Sequence, residues 1–522
     1  MKKHLLTLAM IGILGISVAE AQKYKYDWMK MITFDKEMVD ENVKIQADAN
    51  GFTYTTFSFQ WDIHLGRPPA KKKDPEPPIL SAEGGIKGVY IDKRDSNGDP
   101  VWAKVVKIGN PDIEDEISVL TNHVSDLAIS PTGDVYITGS FDGKADFGQG
   151  ITLKSEGRND MFIAKISSSG EAEWAVRAGG SGTVSNEIDP GGLSVTTDRA
   201  GNVFAVGGLN AYPKGGGTYG DGQPLELSEW GATTVLFKLS PKGEFLWFKK
   251  SHVGTFGSNN DLSTDAAGNI YLGGGCRAFA EWDGNKSEVN GLYDAVLFKL
   301  DNDGNHIWTK VWGWGDGEWD KKSMDAESIS RMSVSDDGRV TMMLTLYNGA
   351  EINGVTIKTD KKNASNMETL AVNLDADGNV TNMTRFASKD SEQMIIGLPN
   401  ALTPGFNGAD GTIYFKIGPK VTINDEKLKG DGIYAIDKDG EITFLMSLVI
   451  KDIAPVHGFG PYGFTMNSKS ELFGVGQVYK ISDLVSQYAG AAAGKRIEKM
   501  HKKNYFYDRD FNQGIVITKY TN

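Results

Sequence analysis

Apolar and polar residues alternate in short runs along most of the chain, and turns rich in glycine separate the runs. The segment VYIT (135–138) is one such run. Alternation with a period of two is typical of β-strands, whose successive side chains point to opposite faces. The chain is therefore predicted to be all-β.

Three features recur in fixed order along the chain. The first is a glycine-containing turn followed by a β-branched residue and an aromatic, as in TGDVY (132–136) and AGNIY (267–271). The second is an alternating strand that ends in a charged or polar residue, as in DAVLFK (294–299). The third follows another turn and centres on a large side chain. Seven positions hold this third feature: Trp28, Trp102, Trp174, Trp247, Trp308, Met383 and Phe444.

These seven positions lie 61 to 75 residues apart, a length that suits one four-stranded sheet with its loops. The repeat therefore predicts a seven-bladed β-propeller of four-stranded blades. Trp28 precedes the first complete repeat and the last repeat ends on GIVITK (514–519), so the N-terminal strand is predicted to complete the last blade. In the turn between the first two strands of a blade, Gly268 is expected to supply a positive φ. Tyr271 is expected to pack between blades.

The beginning of the chain and two internal segments depart from the repeat. Residues 1–21 combine two lysines, an apolar run and an A-x-A sequence, which is the pattern of a secretory signal peptide. The remainder, 22–522, is predicted to be one propeller domain, exported to the periplasm, the cell surface or the medium, with no transmembrane segment. Residues 62–86 are rich in proline and charge and predict an extended flap. Residues 481–508 predict a helix.

Charge and cysteine content exclude several classes of function. The formal net charge of −13 makes nucleic acid and anionic membranes poor partners. Cys276 is the only cysteine, so neither an intramolecular disulfide nor a cysteine metal cluster can form. Acidic turns such as DNDGN (301–305) lack the distant bidentate glutamate of a calcium loop, and they fall where hairpin turns are required. We therefore expect no metal and no cofactor.

The repeated motifs D-x-x-G-N-x-Y-x-x-G, D-x-F-x-x-K and G-x-x-x-W resemble the SBBP family of bacterial β-propeller repeats, most clearly in residues 125–180. That resemblance implies a propeller on an exported protein, and it implies no defined activity or catalytic residue. GIYAIDKDGE (432–441) is also similar to repeats of pyrroloquinoline-quinone dehydrogenases. Those enzymes have adjacent disulfide-bonded cysteines, which a single cysteine cannot supply, so their cofactor is not expected here.

The long connections of such a propeller lie between the middle strands of a blade and between blades. Both kinds emerge on one face of the disc, called here the long-loop face. Aromatic and acidic residues gather in these connections, and flat rings beside carboxylates suit stacking on sugar rings or anchoring a protein. The alternative is that each ring plugs the channel mouth or packs between blades. The candidate ligand-binding residues are Trp312, Trp314, Trp319, Asp316, Glu318, Tyr212, Tyr219, His457 and Tyr462.

Two further sets of residues are candidates for function. The predicted helix ends in basic residues that could dock a partner or an acidic surface, unless the helix is simply solvated. The basic candidates are Lys495, Arg496 and Lys499. Three histidines fall in or beside connections between blades and could approach the channel to form a metal or acid–base site. These are His123, His252 and His457, and their spacing alone does not assign their partners.

Three functions are consistent with this sequence. The leading hypothesis is an exported, monomeric, non-catalytic module that binds a glycan or a protein through the long-loop face. The second is a polysaccharide lyase or glycoside hydrolase in which carboxylates such as Asp316 and Glu318 act as acid and base on that face. The third is a structural component of a cell-envelope assembly. The fold cannot choose between them, because unrelated functions occur on one fold.

Overall fold

The structure is a computed structural model, and it describes the following residues: 25–34, 43–65, 77–82, 87–109, 122–157, 160–180, 191–209, 216–227, 233–251, 261–276, 279–289, 294–313, 327–347, 350–352, 354–357, 367–388, 410–417, 421–423, 426–427, 432–447, 461–479 and 513–521. All regular structure in these ranges is β. None of the described residues belongs to a helix long and apolar enough to cross a membrane.

The strands of the first three blades, with their hairpins, come first in the chain. They are β1 (Lys25–Phe34), β2 (Lys44–Ala47), β3 (Thr53–Gln60), β4 (Asp62–His64), β5 (Ile79–Ser81), β6 (Lys87–Arg94), β7 (Pro100–Gly109), β8 (His123–Ile129), β9 (Val135–Phe141), β10 (Lys144–Gly148), β11 (Ile151–Lys154), β12 (Asp160–Ile166), β13 (Ala172–Gly180), β14 (Gly191–Thr197), β15 (Val203–Leu209), β16 (Gly217–Tyr219), β17 (Gln223–Leu225), β18 (Thr233–Leu239) and β19 (Phe245–Ser251).

The remaining strands build the other blades. They are β20 (Asp261–Thr264), β21 (Ile270–Cys276), β22 (Phe279–Trp282), β23 (Asn285–Glu288), β24 (Asp294–Leu300), β25 (His306–Trp312), β26 (Ser328–Val334), β27 (Val340–Tyr347), β28 (Glu351–Ile352), β29 (Val355–Thr356), β30 (Met367–Leu374), β31 (Val380–Ser388), β32 (Ile413–Ile417), β33 (Val421–Ile423), β34 (Glu426–Lys427), β35 (Gly432–Ile436), β36 (Ile442–Ser447), β37 (Pro461–Met466), β38 (Leu472–Tyr479) and β39 (Gln513–Thr521).

Apart from the separate two-stranded sheet β28–β29, these strands form seven antiparallel sheets around an axis, which confirms the predicted seven-bladed β-propeller. Each blade runs from an inner strand at the axis to an outer strand at the rim. In chain order the blades are blade 1 (β2, β3, β6, β7), blade 2 (β8, β9, β12, β13), blade 3 (β14, β15, β18, β19), blade 4 (β20, β21, β24, β25), blade 5 (β26, β27, β30, β31), blade 6 (β32, β35, β36) and blade 7 (β37, β38, β39, β1).

The first and last described strands lie side by side. Strand β1 pairs antiparallel with β39, from Lys25 opposite Thr521 to Phe34 opposite Gln513. Blade 7 therefore contains strands from both ends of the described chain.

A hairpin from each of five blades extends the sheet of the blade before it. The hairpins β4–β5, β10–β11, β16–β17, β22–β23 and β33–β34 lie between the second and third strands of their own blades. They pair with the outer strands β1, β7, β13, β19 and β31. These covering hairpins satisfy part of an outer edge that would otherwise be open to pairing with another chain. The segment 62–86, interpreted as a flap, thus contributes β4 and β5, whereas 481–508 lies outside the described residues.

The repeated turn DAAGNIY has the predicted geometry. Gly268 has a φ of 81°, and the Asp265 carboxylate accepts hydrogen bonds from the backbone N–H groups of Ala267 (3.0 Å) and Asn269 (2.9 Å). The hydroxyl of Tyr271 donates to Gly338 O in blade 5, at 3.1 Å. The acidic turns follow the same rule, because Asp301 accepts from two backbone N–H groups of its own turn. Their carboxylates thus shape hairpins.

Tryptophans of the third feature donate hydrogen bonds to the following blade. Trp174 on β13 donates its Nε1–H to Pro241 O in the last turn of blade 3, at 3.1 Å, and its ring lies against Gly243 of that turn. Equivalent bonds join Trp102 to Ser168 O (3.0 Å) and Trp308 to Ala376 O (3.3 Å). The third feature is therefore a joint between blades.

The hydrophobic core is divided among the joints between neighbouring blades. One cluster combines Tyr54 and Val89 of blade 1 with Leu127 and Phe162 of blade 2. Another combines Tyr90 of blade 1 with side chains of blade 7. The apolar clusters of the described residues therefore hold neighbouring blades together.

Candidate functional site

One position on the inner strand carries a polar or charged side chain in five blades. The second strand of each blade begins close to the aromatic residue of the first feature, or to the residue that replaces it. In all five blades, the inner-strand residue pairs with the second-strand residue two places after that aromatic position. The register therefore makes the five positions equivalent. The five, called here the ring residues, are Lys44, Asp126, Ser194, Asp261 and Arg331.

The ring residues converge on the axis. The charges of Lys44, Asp126 and Arg331 all act on Asp261. Lys44 belongs to blade 1 and Asp261 to blade 4, which lie on opposite sides of a seven-bladed ring. Residues of such distant blades can interact in this way only around the central channel. Asp126, Asp261 and Arg331 are half-buried, so part of each side chain is accessible to solvent.

Each ring carboxylate also holds the inner strand of the next blade. Oδ2 of Asp126 accepts hydrogen bonds from the Ser194 hydroxyl (2.6 Å) and the Val195 N–H (3.0 Å). Oδ2 of Asp261 accepts the N–H of Met332, at 2.7 Å. No hydrogen bond from the described residues reaches the Oδ1 atom of either carboxylate. These hydrogen bonds to Oδ2 fix the orientation of the two carboxylates.

Burial and neighbouring charge make Asp261 a weaker acid than an ordinary aspartate. Burial raises its pKa to about 6, and the negative charge of Asp126 acts in the same direction. Arg331, the N–H of Met332 and Lys44 oppose the rise. A perturbed carboxyl inside a channel, beside a second carboxylate and two cations, is typical of a functional site. The arrangement can accept hydrogen bonds from a ligand and can exchange a proton near pH 6.

Three of the aromatic candidates lie among the described residues, and two of them pack against other side chains. Trp312, the last residue of β25, is only 7% exposed and packs between blades 4 and 5. Tyr219 on β16 packs edge-on against Phe245 and Phe248, with ring centroids 4.8 and 5.2 Å away. Tyr462 lies on β37. The other candidates lie outside the described residues: Tyr212, Trp314, Asp316, Glu318, Trp319, His457, Lys495, Arg496 and Lys499.

The three histidines cannot be brought together from the described residues. His123, at the start of β8, has its Nδ1 3.2 Å from the hydroxyl of Ser140, and His252 and His457 are not described. Among the described residues, no group of three or more His, Cys, Asp or Glu side chains is arranged to hold a metal ion.

The ring residues were missed from the sequence although a signal exists. Each stands four residues before the first residue of the repeated first turn, as Asp261 stands before Asp265. A single charge on an alternating strand is normally taken as a solvated position. Only alignment of all repeats on that turn shows charged residues recurring at one inner-strand position.

We expect Asp261→Asn to stabilise the protein above pH 6. Because the folded pKa of Asp261 is raised, the folded state holds its proton more firmly than the unfolded state. Stability contributed by this group is present below about pH 4 and is lost as the pH rises to about 6. The variant should therefore gain about 1–2 kcal/mol at pH 7.5, after discounting for solvent screening, and nearly nothing at pH 4. Chemical denaturation at both pH values measures this, with exposed Asp221→Asn as the control.

Comparisons with known proteins do not assign the chain to a family. No protein-family model matches the chain, and no curated protein matches it. The solved structures that match include a europium-containing methanol dehydrogenase (10% identity, TM-score 0.34); the match covers 95% of this chain and 93% of that protein. A Synechocystis apocarotenoid oxygenase mutant (10% identity, TM-score 0.33) covers 89% of this chain and 90% of its own. Prolyl oligopeptidase B from Galerina marginata (8% identity, TM-score 0.29) covers 86% of this chain and 55% of its own.

Proposed function

We propose that this β-propeller is an exported, non-catalytic binding module that takes its ligand in the central channel, through the long-loop face. Export follows from the signal-peptide pattern of residues 1–21, and the motifs that resemble SBBP repeats agree with an exported protein. The observation that carries the proposal is the pair of ring carboxylates, Asp126 and Asp261. Their backbone-anchored oxygens fix them, and their Oδ1 atoms accept nothing from the described residues.

The ligand chemistry follows from these acceptors. Two fixed carboxylate oxygens select a ligand with several hydrogen-bond donors, and a polyhydroxylated sugar supplies them. Charge-assisted hydrogen bonds from hydroxyl groups to carboxylates are stronger than neutral ones. Lys44 and Arg331 add cationic groups beside the carboxylates, so a sugar that also carries an acidic group fits better than a neutral one. A glycan end is therefore the proposed occupant.

A glycan array tests the proposal with three proteins. The mature chain should bind, Asp261→Asn should lose at least tenfold in affinity, and Asp221→Asn should bind as the parent does. Because Asp261→Asn is expected to be more stable than the parent at pH 7.5, unfolding cannot explain its loss of binding. Absence of binding by all three proteins, or equal binding by all three, contradicts the proposed channel site. Binding only to lysine- or arginine-rich peptides would replace the glycan by a protein partner.

A second candidate function is glycoside hydrolysis or polysaccharide cleavage in the same channel. The observation that favours it is the pKa of Asp261, raised to about 6 by burial and by Asp126. Two carboxyl groups whose environments separate their pKa values are the usual acid and base of glycosidases. Turnover of an array-positive glycan, with a rate that falls as the pH rises through about 6, would support this function. Binding without turnover would support the module.

A further inference from the structure

Blade 1 has polar residues where blades 2 and 4 have an apolar core. On its second and third strands, Thr53 lies opposite Arg94 and Thr55 lies opposite Asp92. All four side chains are buried. The equivalent pairs are Val135 with Ile166 and Ile137 with Ala164 in blade 2, and Ile270 with Leu300 and Leu272 with Phe298 in blade 4. Blade 1 therefore departs from the repeat at its joint with blade 7.

The charges at this joint are paired, but only in part. Oδ2 of Asp92 accepts hydrogen bonds from the Tyr90 hydroxyl (2.8 Å) and from Nε of Arg94. Arg94 also donates to Gly98 O, at 3.1 Å. The other carboxylate oxygen, Oδ1, is buried and has no hydrogen-bond partner among the described residues. A buried carboxylate oxygen without a donor is costly, so a donor is expected there.

Two buried hydroxyls on the neighbouring strand also lack a partner within the described ranges: Thr55 lies opposite Asp92, and Thr53 lies opposite Arg94. The Oγ1 atoms of Thr53 and Thr55 have no partner among the described residues. Thr55 is the direct register partner of Asp92, and directly opposed residues on antiparallel strands have Cβ atoms about 4.5–5.5 Å apart, close enough for one small molecule to bridge the two side chains. Thr465 of blade 7 has a further hydroxyl without a partner in the described part of the chain. Its register partner, Phe473, packs in the same cluster as Tyr90.

We infer that the joint between blades 7 and 1 binds internal water, held by Oδ1 of Asp92 and the hydroxyls of Thr53 and Thr55. The occupant must donate to a carboxylate and exchange bonds with hydroxyls, and water does both. Buried water makes about three hydrogen bonds with groups that would otherwise be unsatisfied. A metal cation fits poorly, because the guanidinium of Arg94 already neutralises Asp92. This site is independent of the channel and of the function proposed for it.

The change Thr55→Val tests the inference, because a bound water and a dry joint predict opposite changes in the melting temperature. Valine has nearly the shape of threonine, so the full-length variant should fold. If the hydroxyl binds water, its loss should lower the melting temperature by about 1–2 °C. If the joint is dry, removal of an unpaired hydroxyl should raise the melting temperature. Thr56→Val is the positive control, because Thr56 is buried on the same strand and its hydroxyl donates to Tyr90 O at 2.8 Å.

A crystal structure of the parent protein gives a second, independent test. Ordered water within hydrogen-bond distance of Asp92 Oδ1 and Thr55 Oγ1, absent or displaced in Thr55→Val, supports the inference. The inference is overturned if the joint shows no electron density for water. It is also overturned if crystals soaked in rubidium show an anomalous peak there. A higher melting temperature for Thr55→Val, beside a lower one for Thr56→Val, overturns it as well.

Discussion

Replacing Arg177 by methionine is expected to lower the free energy of unfolding by about 3–5 kcal/mol at pH 8. Arg177 lies on β13, is 7% exposed, and forms an ion pair with Asp160, which is 1% exposed. Its guanidinium also lies 2.8 Å from Glu156 Oε1. Methionine keeps much of the volume and removes the charge, so the Asp160 carboxylate is left buried without its cation. Guanidinium chloride unfolding of the two proteins measures the loss.

The pH dependence separates this charge effect from a packing effect. Burial raises the pKa of Asp160 to about 6, against the opposing N–H of Glu156 and the charge of Arg177. Without Arg177 the folded pKa should rise further. The folded variant then holds a proton that the unfolded chain releases, and stability is lost as the pH rises from about 4 through the raised pKa. The loss should therefore be large at pH 8 and small at pH 5.

An exposed ion pair provides the control for Arg177. Lys144 lies 3.2 Å from Asp146, and the two side chains are 59% and 39% exposed. Lys144→Met should cost less than about 1 kcal/mol at any pH. If Arg177→Met loses the same stability at pH 5 and pH 8, Arg177 acts through packing alone, and the charge argument is wrong.

Gly243→Ala is expected to cost about 3 kcal/mol, of which about 1–2 kcal/mol is backbone strain. Gly243 has a φ of 84°, and a Cβ there would lie 2.6 Å from Cδ2 of Trp174. The Trp174 ring must move, and with it the bond from its Nε1 to Pro241 O. Gly222→Ala carries the backbone part alone, since Gly222 has a φ of 90° and its Cβ would contact nothing within 4 Å. If the two variants lose the same free energy of unfolding, the contact between Trp174 and the turn contributes nothing to stability.

The parts of the fold that could be predicted from sequence are those fixed by local chemistry. The turn before Tyr271 needs a glycine with positive φ and an acidic residue that accepts hydrogen bonds from the turn. Both are found within the five residues 265–269. The recurrence of this turn gave the number of blades. The covering hairpins were not predicted, because β10 pairs with β7 of another blade, and nothing local specifies that partner.

The candidate site was predicted less well, for a related reason. Aromatic residues in long connections are apolar enough to pack with the core: Trp312 belongs to a core cluster, and Tyr219 packs, half-buried, against another. Asp126 and Asp261 stand 135 residues apart in sequence. Their meeting depends on the closed ring, which brings equivalent positions of different repeats to one axis. A search of single loops cannot reveal it.

The covering hairpins also determine how the chain is exposed while it is being made. Each hairpin is encoded after the outer strand that it pairs with, as β10 follows β7 and β16 follows β13. During synthesis, which proceeds from the N-terminus, the edge of the most recent outer strand therefore stays uncovered until the next hairpin has been made. Strand β1 stays without its neighbour for the longest time, because β39 is the last of the described strands to be made. An uncovered strand edge can pair with another chain, so association between unfinished chains competes with folding during that interval.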